Sequence, residues 1–239
     1  MKVHHAGMIL LLAGALLDSP ACHAEGVLER LLGFLGISAT PSQMKGPGDA
    51  VDFGEIWMVR LGKGDATQVG SGAGYRWPVF APGGASVLAL AGETLVRISV
   101  TGGAPKTLHA LHGVEKLVGF SKGDDDKLLL LKANQGGGSA IGVLSLASGK
   151  ITDIAHDSQQ DRRLLAHLRG HERVFDQTKL YLKTETKPSL TGGQTEWLEV
   201  YVKQGDAAPR PVSRCDGSDC AQPSLSDDGG SVVFIKGLR

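Results

Sequence analysis

From residue 51 onward the apolar residues fall in short runs bounded by clusters of Gly, Pro, Asp and Ser, and none keeps a helical spacing for long. Runs of this kind read as strands joined by turns. Two stretches show the unit best: Trp77-Pro-Val-Phe-Ala-Pro-Gly-Gly-Ala-Ser-Val-Leu-Ala-Leu90 and Gln222-Pro-Ser-Leu-Ser-Asp-Asp-Gly-Gly-Ser-Val-Val-Phe-Ile235. Each is an apolar strand, a Gly-containing tight turn and a second apolar strand, which predicts a β-hairpin. Degenerate copies span 116–131 and 173–182. The residues that lead into the four turns, Phe80, Phe120, Phe175 and Leu225, recur every 40 to 55 residues. A strand-rich repeat of that period predicts a β-propeller.

Strands are expected at 54–61 and 65–69, then in three sets of four. The sets are 77–80, 86–91, 94–100 and 105–110; 115–120, 127–133, 140–146 and 150–155; and 168–175, 179–185, 196–203 and 210–214. A last pair, 223–225 and 231–236, ends the chain. Propeller blades are four-stranded sheets. The chain therefore opens on the outer pair of a blade and finishes on an inner pair, and the two halves can make one sheet. The expected fold is all-β: a four-bladed β-propeller over 51–239, closed by pairing the N-terminal outer strands with the C-terminal inner strands. Such a split blade removes the exposed edges that a linear array leaves at its ends.

The first 50 residues follow a different pattern. Lys2 precedes an apolar run over 6–17 that is too short to span a bilayer, and Cys22-His-Ala24 puts a small residue at each position a signal peptidase reads. The expectation is a secretory signal peptide over 1–24, cut before Glu25, which places the mature chain in the periplasm or outside the cell. A lipoprotein signal acylated at Cys22 is the rival, but Ser19-Pro-Ala-Cys22 lacks the aliphatic residue expected three positions before the cysteine. Residues 25–50 read as a short amphipathic helix, with Val27, Leu28, Leu31, Leu32, Phe34 and Leu35 near helical spacing, followed by a Pro/Gly-rich linker. Its polar side has no Lys/Arg-rich face, which favours docking on its own domain over a membrane surface.

Removing the leader leaves Cys215 and Cys220 in Arg-Cys-Asp-Gly-Ser-Asp-Cys. In an exported chain this pair predicts a disulfide. Two sulfurs alone do not complete zinc's usual four-ligand shell.

Phe80-Ala-Pro-Gly-Gly84 and Leu225-Ser-Asp-Asp-Gly229 resemble the Phe-Ser-Pro-Asp-Gly turn of TolB-like propellers, a repeat shared with the propeller domains of prolyl oligopeptidase relatives. Gly54-Glu-Ile-Trp57 and Glu199-Val-Tyr201 resemble that family's third-strand element. The resemblance covers roughly residues 51–236 and implies the propeller fold; it leaves the activity open, since fold does not determine function. The first turn lacks the Asp, and Ser121-Lys-Gly-Asp-Asp-Asp-Lys127 lacks the Pro and the final Gly.

Composition narrows the function further. Lys+Arg and Asp+Glu balance at 25 each with no long basic run, which argues against a nucleic-acid partner. No segment of the mature chain is long and apolar enough for a membrane helix. In a propeller, connections between blades share one face with the turns between second and third strands. That face carries 70–76, 109–113, 156–167, 186–194 and 215–221, whereas the opposite face has mostly short turns. Long loops on a rigid scaffold carry recognition. The partner expected there is a protein or a cell-envelope component, and the candidate contacts are Tyr75, Arg76, His112, Asp161, Arg162 and Arg163. Tyr75-Arg76, just before an innermost strand, reads as an exposed recognition pair.

No catalytic residue, metal site or cofactor is assigned. His109, His112, His156, His167 and His171, with Asp157 and Asp161, have no metal-ligand spacing. Asp124-Asp-Asp126 lacks the ligand pattern of a calcium loop and reads as a charged hairpin turn. Gly70-Ser-Gly-Ala-Gly74 lacks the Lys-Ser/Thr ending of a phosphate loop, and no Gly-x-Ser-x-Gly nucleophile motif occurs. The alternative function is a propeller hydrolase or lyase whose His and Asp residues meet at the central channel.

Overall fold

A computed structural model of the chain describes residues 51–121, 124–133, 139–153, 173–175, 177–189 and 192–238. The chain divides into two units, Met1–Met44 and Lys45–Arg239, and every described residue belongs to the second. The expected leader, helix and linker lie outside the described residues.

The described residues form sixteen strands and no helix. They are β1 (Gly54–Arg60), β2 (Thr67–Gln68), β3 (Tyr75–Phe80), β4 (Ser86–Ala91), β5 (Thr94–Ser99), β6 (Lys106–Ala110), β7 (Val114–Phe120) and β8 (Lys127–Ala133). There follow β9 (Ser139–Ser145), β10 (Ile151–Asp153), β11 (Arg173–Phe175), β12 (Thr178–Pro188), β13 (Gln194–Gln204), β14 (Arg210–Pro211), β15 (Cys220–Leu225) and β16 (Ser231–Gly237). All pairings are antiparallel. Strands β7 to β10 and β11 to β14 make two four-stranded sheets in chain order. A third sheet of eight strands consists of two halves, β15-β16-β1-β2 and β3-β4-β5-β6, joined at a single pair, Gly54 with Tyr75.

The first half is the split sheet anticipated from the sequence. β16 pairs with β1 over seven residues, from Gly54 opposite Gly237 to Arg60 opposite Ser231. β2 then adds to the outside of β1 and β15 to the far side of β16. Gly54 is required at the start of this register, because a Cβ there would run into the Lys236 backbone and the Ile235 side chain.

The sheets are buried on both faces where their strands are uniformly apolar. In β16, Val233 and Ile235 pack with Ile56, Met58, Tyr75, Phe80 and Val87 in one core. Val232 and Phe234 point the other way, into a core with Val59, Leu180, Val200 and Val202. β4 behaves alike: Val87 and Ala89 join the first core, while Leu88 and Leu90 pack with Leu117, Leu128, Leu130 and Leu144. A strand sandwiched between two apolar layers needs apolar residues at every position, which is why these stretches show runs and not alternation. β13 puts Leu198, Val200 and Val202, all buried, on one face and the partly exposed Trp197 and Tyr201, with the buried Glu199 between them, on the other.

The inner strands β3 and β15 share a bulge. Trp77 and Gln222 sit at φ of 52° and 54°, and the register shifts between Arg76 and Val79 and between Ala221 and Ser224. Each precedes a proline, which has no N–H to donate to the ladder. The two bulges are tied together: Trp77 N–H donates to Gln222 Oε1 at 2.5 Å, and Gln222 Nε2 donates to the Val51 carbonyl at 2.6 Å. Left-handed backbone at a bulky residue costs about 1–3 kcal/mol, so it persists only where such a network over-determines it.

Candidate functional site

The strand directions bring the starts of β1, β3 and β7 to one side. Gly74 N–H donates to Gly54 O there, and Arg76 Nη2 donates to the carbonyls of Gly92 and Val114, both at 3.3 Å. Arg76 thus ties the β4–β5 turn to the first residue of β7. Its Nε is buried and has no hydrogen-bond partner among the described residues. Next to it, Lys116 Nζ lies 4.0 Å from the centre of the Trp77 ring, a cation–π contact between neighbouring inner strands. On the rim, His112 Nδ1 is 2.8 Å from Glu93 Oε2 with both side chains exposed, and Leu111 N–H donates to Glu93 O.

Tyr75 is a correction to the sequence reading. It extends β3 by pairing with Ala91, and its ring is 6 % exposed within the first core. Its hydroxyl donates to Ser71 O at 3.1 Å, and burial pushes its pKa up. The physical reason is the register: alternation puts Tyr75 toward the core and Arg76 away from it. Tyr75 therefore braces the 70–74 connection from beneath. Asp161, Arg162 and Arg163 lie outside the described residues, as do His156, His167 and His171. His109 packs against Gly149, its Nε2 2.7 Å from Leu146 O, apart from His112.

The same side of the molecule carries a ribbon. β11 pairs with β12 only as far as Leu180, and β14 pairs with β13 only at Tyr201 and Val202. The paired positions from Lys183 opposite Glu199 to Pro188 opposite Gln194 continue beyond both neighbours. Tyr181 and Tyr201 stack with centroids 5.7 Å apart, and Glu185 accepts from Lys183 Nζ and the Tyr201 hydroxyl. Those bonds hold the Glu185 carboxyl below its ordinary pKa and the Lys183 ammonium above its own.

The base of the ribbon is anchored by a residue whose role sequence reasoning missed. Glu199 is buried and accepts from Trp197 Nε1, the Ser213 hydroxyl and Cys215 N–H. Cys215 and Cys220 form the expected disulfide. Within its loop, Asp219 takes the N–H of Leu198 on its side chain and that of Gly237 on its carbonyl, linking β13 to β16. A lone Glu in a strand gives no signal of this, because the Ser213 and Cys215 donors come from a loop more than a dozen residues away.

The opposite ends of the strands carry short turns and two concavities. One of about 430 Å³ is lined by Met58, Arg60, Phe80, Val100, Asp227 and Asp228, among others. Burial, helped by the charges of Asp125 and Asp228, raises the Asp227 pKa, whereas the Ser226 hydroxyl and Gly230 N–H lower that of Asp228. The Asp124 to Asp126 stretch is a charged hairpin turn: Lys127 pairs with Asp124, and Asp126 accepts from Ser145 Oγ and Ala147 N–H. No group of three His, Cys, Asp or Glu able to hold a metal occurs among the described residues, and no described helix is long and apolar enough to cross a membrane.

No protein-family model matches the chain, and no curated protein does. Among solved structures, the chain is similar to a putative TolB from Agrobacterium tumefaciens, with a TM-score of 0.38 and 14 % identity over 75 % of this chain and 60 % of that one. TolB from Acinetobacter baumannii gives 0.37 and 12 % identity over 77 % and 49 %. The AtxE2 isopeptidase, in complex with Astexin3-dC4, gives 0.33 and 10 % identity over 77 % and 42 %. The chain spans less than two thirds of the length of each. The functional reading therefore rests on this chain's own residues.

Proposed function

We propose that this chain is an exported four-bladed propeller, matured by cleavage before Glu25, that binds a protein or cell-envelope component through its long-loop face without catalysing a reaction. The ring closes, in this reading, between the β7-to-β10 and β11-to-β14 sheets. The contacts are Arg76 and His112, with Asp161, Arg162 and Arg163 from the neighbouring loop and Tyr75 as the brace beneath them. The observation that carries the reading is Arg76: its partly exposed guanidinium is held in place by the carbonyls of Gly92 in the β4–β5 turn and Val114 at the start of β7. A guanidinium pre-positioned in this way favours an incoming carbonyl or carboxylate. The disulfide, which needs an oxidising compartment, supports export.

Affinity capture from an envelope extract tests this. The mature chain is compared with a variant carrying Ala at Arg76, Arg162 and Arg163. One specific species retained by the parent and lost by a folded variant is the expected result; equal retention by both would remove the face from consideration.

A further inference from the structure

Three arginines from two distant parts of the chain, Arg60 and the pair Arg210 and Arg214, line one concavity. Arg60 ends β1, Arg210 begins β14, and Arg214 follows it. All three line one concavity of about 240 Å³ at the short-turn end, between the split sheet and the β11-to-β14 sheet. Its walls are Val59, Pro211 and Val212, and Val59 and Val212 are buried core residues, so the cationic groups stand on a packed base. The mouth is kept open by Gly62 and Gly64. Both have positive φ, 88° and 106°, and neither would find an atom within 4 Å of an added Cβ.

The charge count defines the ligand. Arg214 Nη1 is 2.6 Å from Asp65 Oδ1, so one guanidinium is largely neutralised. Arg60 and Arg210 are exposed and make no ion pair among the described residues. Arg60 also borders the concavity of Asp227 and Asp228 without an ion pair to either, so the site presents two arginines free of ion pairs among the described residues, in a chain whose formal net charge is zero. A phosphate monoester carries about −1.5 to −2 at neutral pH and offers three acceptor oxygens, which planar guanidinium forks match in pairs. A singly charged diester or carboxylate would leave one arginine unmatched. We propose that the pocket of Arg60, Arg210 and Arg214 binds a phosphate monoester, either on a small molecule or as a lipid headgroup. The site is separate from the long-loop face and does not depend on the function proposed for it.

Titration calorimetry of the mature chain with inorganic phosphate and with glycerol 3-phosphate, at constant ionic strength, reads the shared chemistry. Sedimentation with phosphatidylcholine vesicles, with and without phosphatidic acid, reads the lipid source. Saturable binding in either arm supports the site, and the arm that responds identifies the source. Arg60→Gln with Arg210→Gln should weaken binding by about tenfold or more, the loss of charge-assisted hydrogen bonds. Arg60→Lys should weaken it less than Arg60→Gln, because the charge stays and the fork is lost. Asp65→Asn should tighten it by releasing Arg214. Because these side chains are exposed, circular dichroism should confirm that each variant folds. Absence of saturable binding in both arms, binding unchanged in the double variant, or weaker binding by Asp65→Asn would each overturn the proposal.

Discussion

Deleting residues 224–239 tests how the two ends of the domain hold each other. The deletion removes β16, whose Val232, Val233, Phe234 and Ile235 are all 0 % exposed and feed two cores on opposite faces. Burying a side chain of this size contributes about 1.5–3 kcal/mol, so the four together contribute roughly 6–12 kcal/mol as an upper estimate. A whole domain is stable by only about 5–15 kcal/mol. The deletion also frees the β1 edge along its seven paired residues, and an unpaired edge recruits other chains. The truncated protein should be unfolded or aggregated by size-exclusion chromatography with light scattering and should show no cooperative melt by circular dichroism. Two point variants grade the effect. Phe234→Ala should cost about 3–5 kcal/mol as a large-to-small core change. Gly54→Ala should disrupt the β1–β16 register, because its methyl would collide with the Lys236 backbone. A truncated chain that stayed monomeric with an unchanged melting curve would refute the pairing.

Changing Cys215 and Cys220 to Ser should lower the melting temperature without abolishing folding, since a loop this short gives an entropic gain near the low end of about 0–5 kcal/mol; failure to fold would contradict this. Glu199→Ala should be more damaging, about 3 kcal/mol or more by chemical denaturation, because Trp197, Ser213 and Cys215 each lose their buried acceptor; a cost below that of the double Ser variant would count against the anchor. Asp227→Asn should raise stability at neutral pH. Its folded pKa is raised, so the folded state holds the proton more tightly and loses relative stability as pH rises through the window between the unfolded and folded values. The benefit of Asn should therefore vanish in acid below the ordinary aspartate range, and a benefit independent of pH would refute the charge argument.

The hairpin repeat and strand order were readable because they depend on local features: apolar runs, tight turns and the spacing of Phe80, Phe120, Phe175 and Leu225. The split sheet was readable because the strand pairs at the two ends are complementary, one outer and one inner, and β1 does pair with β16. β12 and β13 run further than expected, to Pro188 and from Gln194, because Lys183, Glu185 and Glu196 keep alternating on an exposed ribbon where no apolar run marks a strand. Tyr75 was read as exposed because the strand was expected to begin at Trp77, whereas β3 starts at Tyr75 and runs on through the bulge at Trp77. The Gln222 bridge, the Glu199 anchor and the three-arginine pocket were invisible for a common reason. Each joins residues far apart in the chain through a side-chain contact that leaves no periodic trace.

Site-specific photo-crosslinking addresses the long-loop face most directly. A photoreactive benzophenone side chain replaces His112 on that face in one variant and Asp206 on the exposed β13–β14 turn in another, and each is irradiated in an envelope extract. A discrete, saturable adduct from position 112 that is absent from position 206 and lost on adding Arg76→Ala is the predicted result. An adduct from position 206 alone, or one from position 112 that persists with Arg76→Ala, would contradict the account.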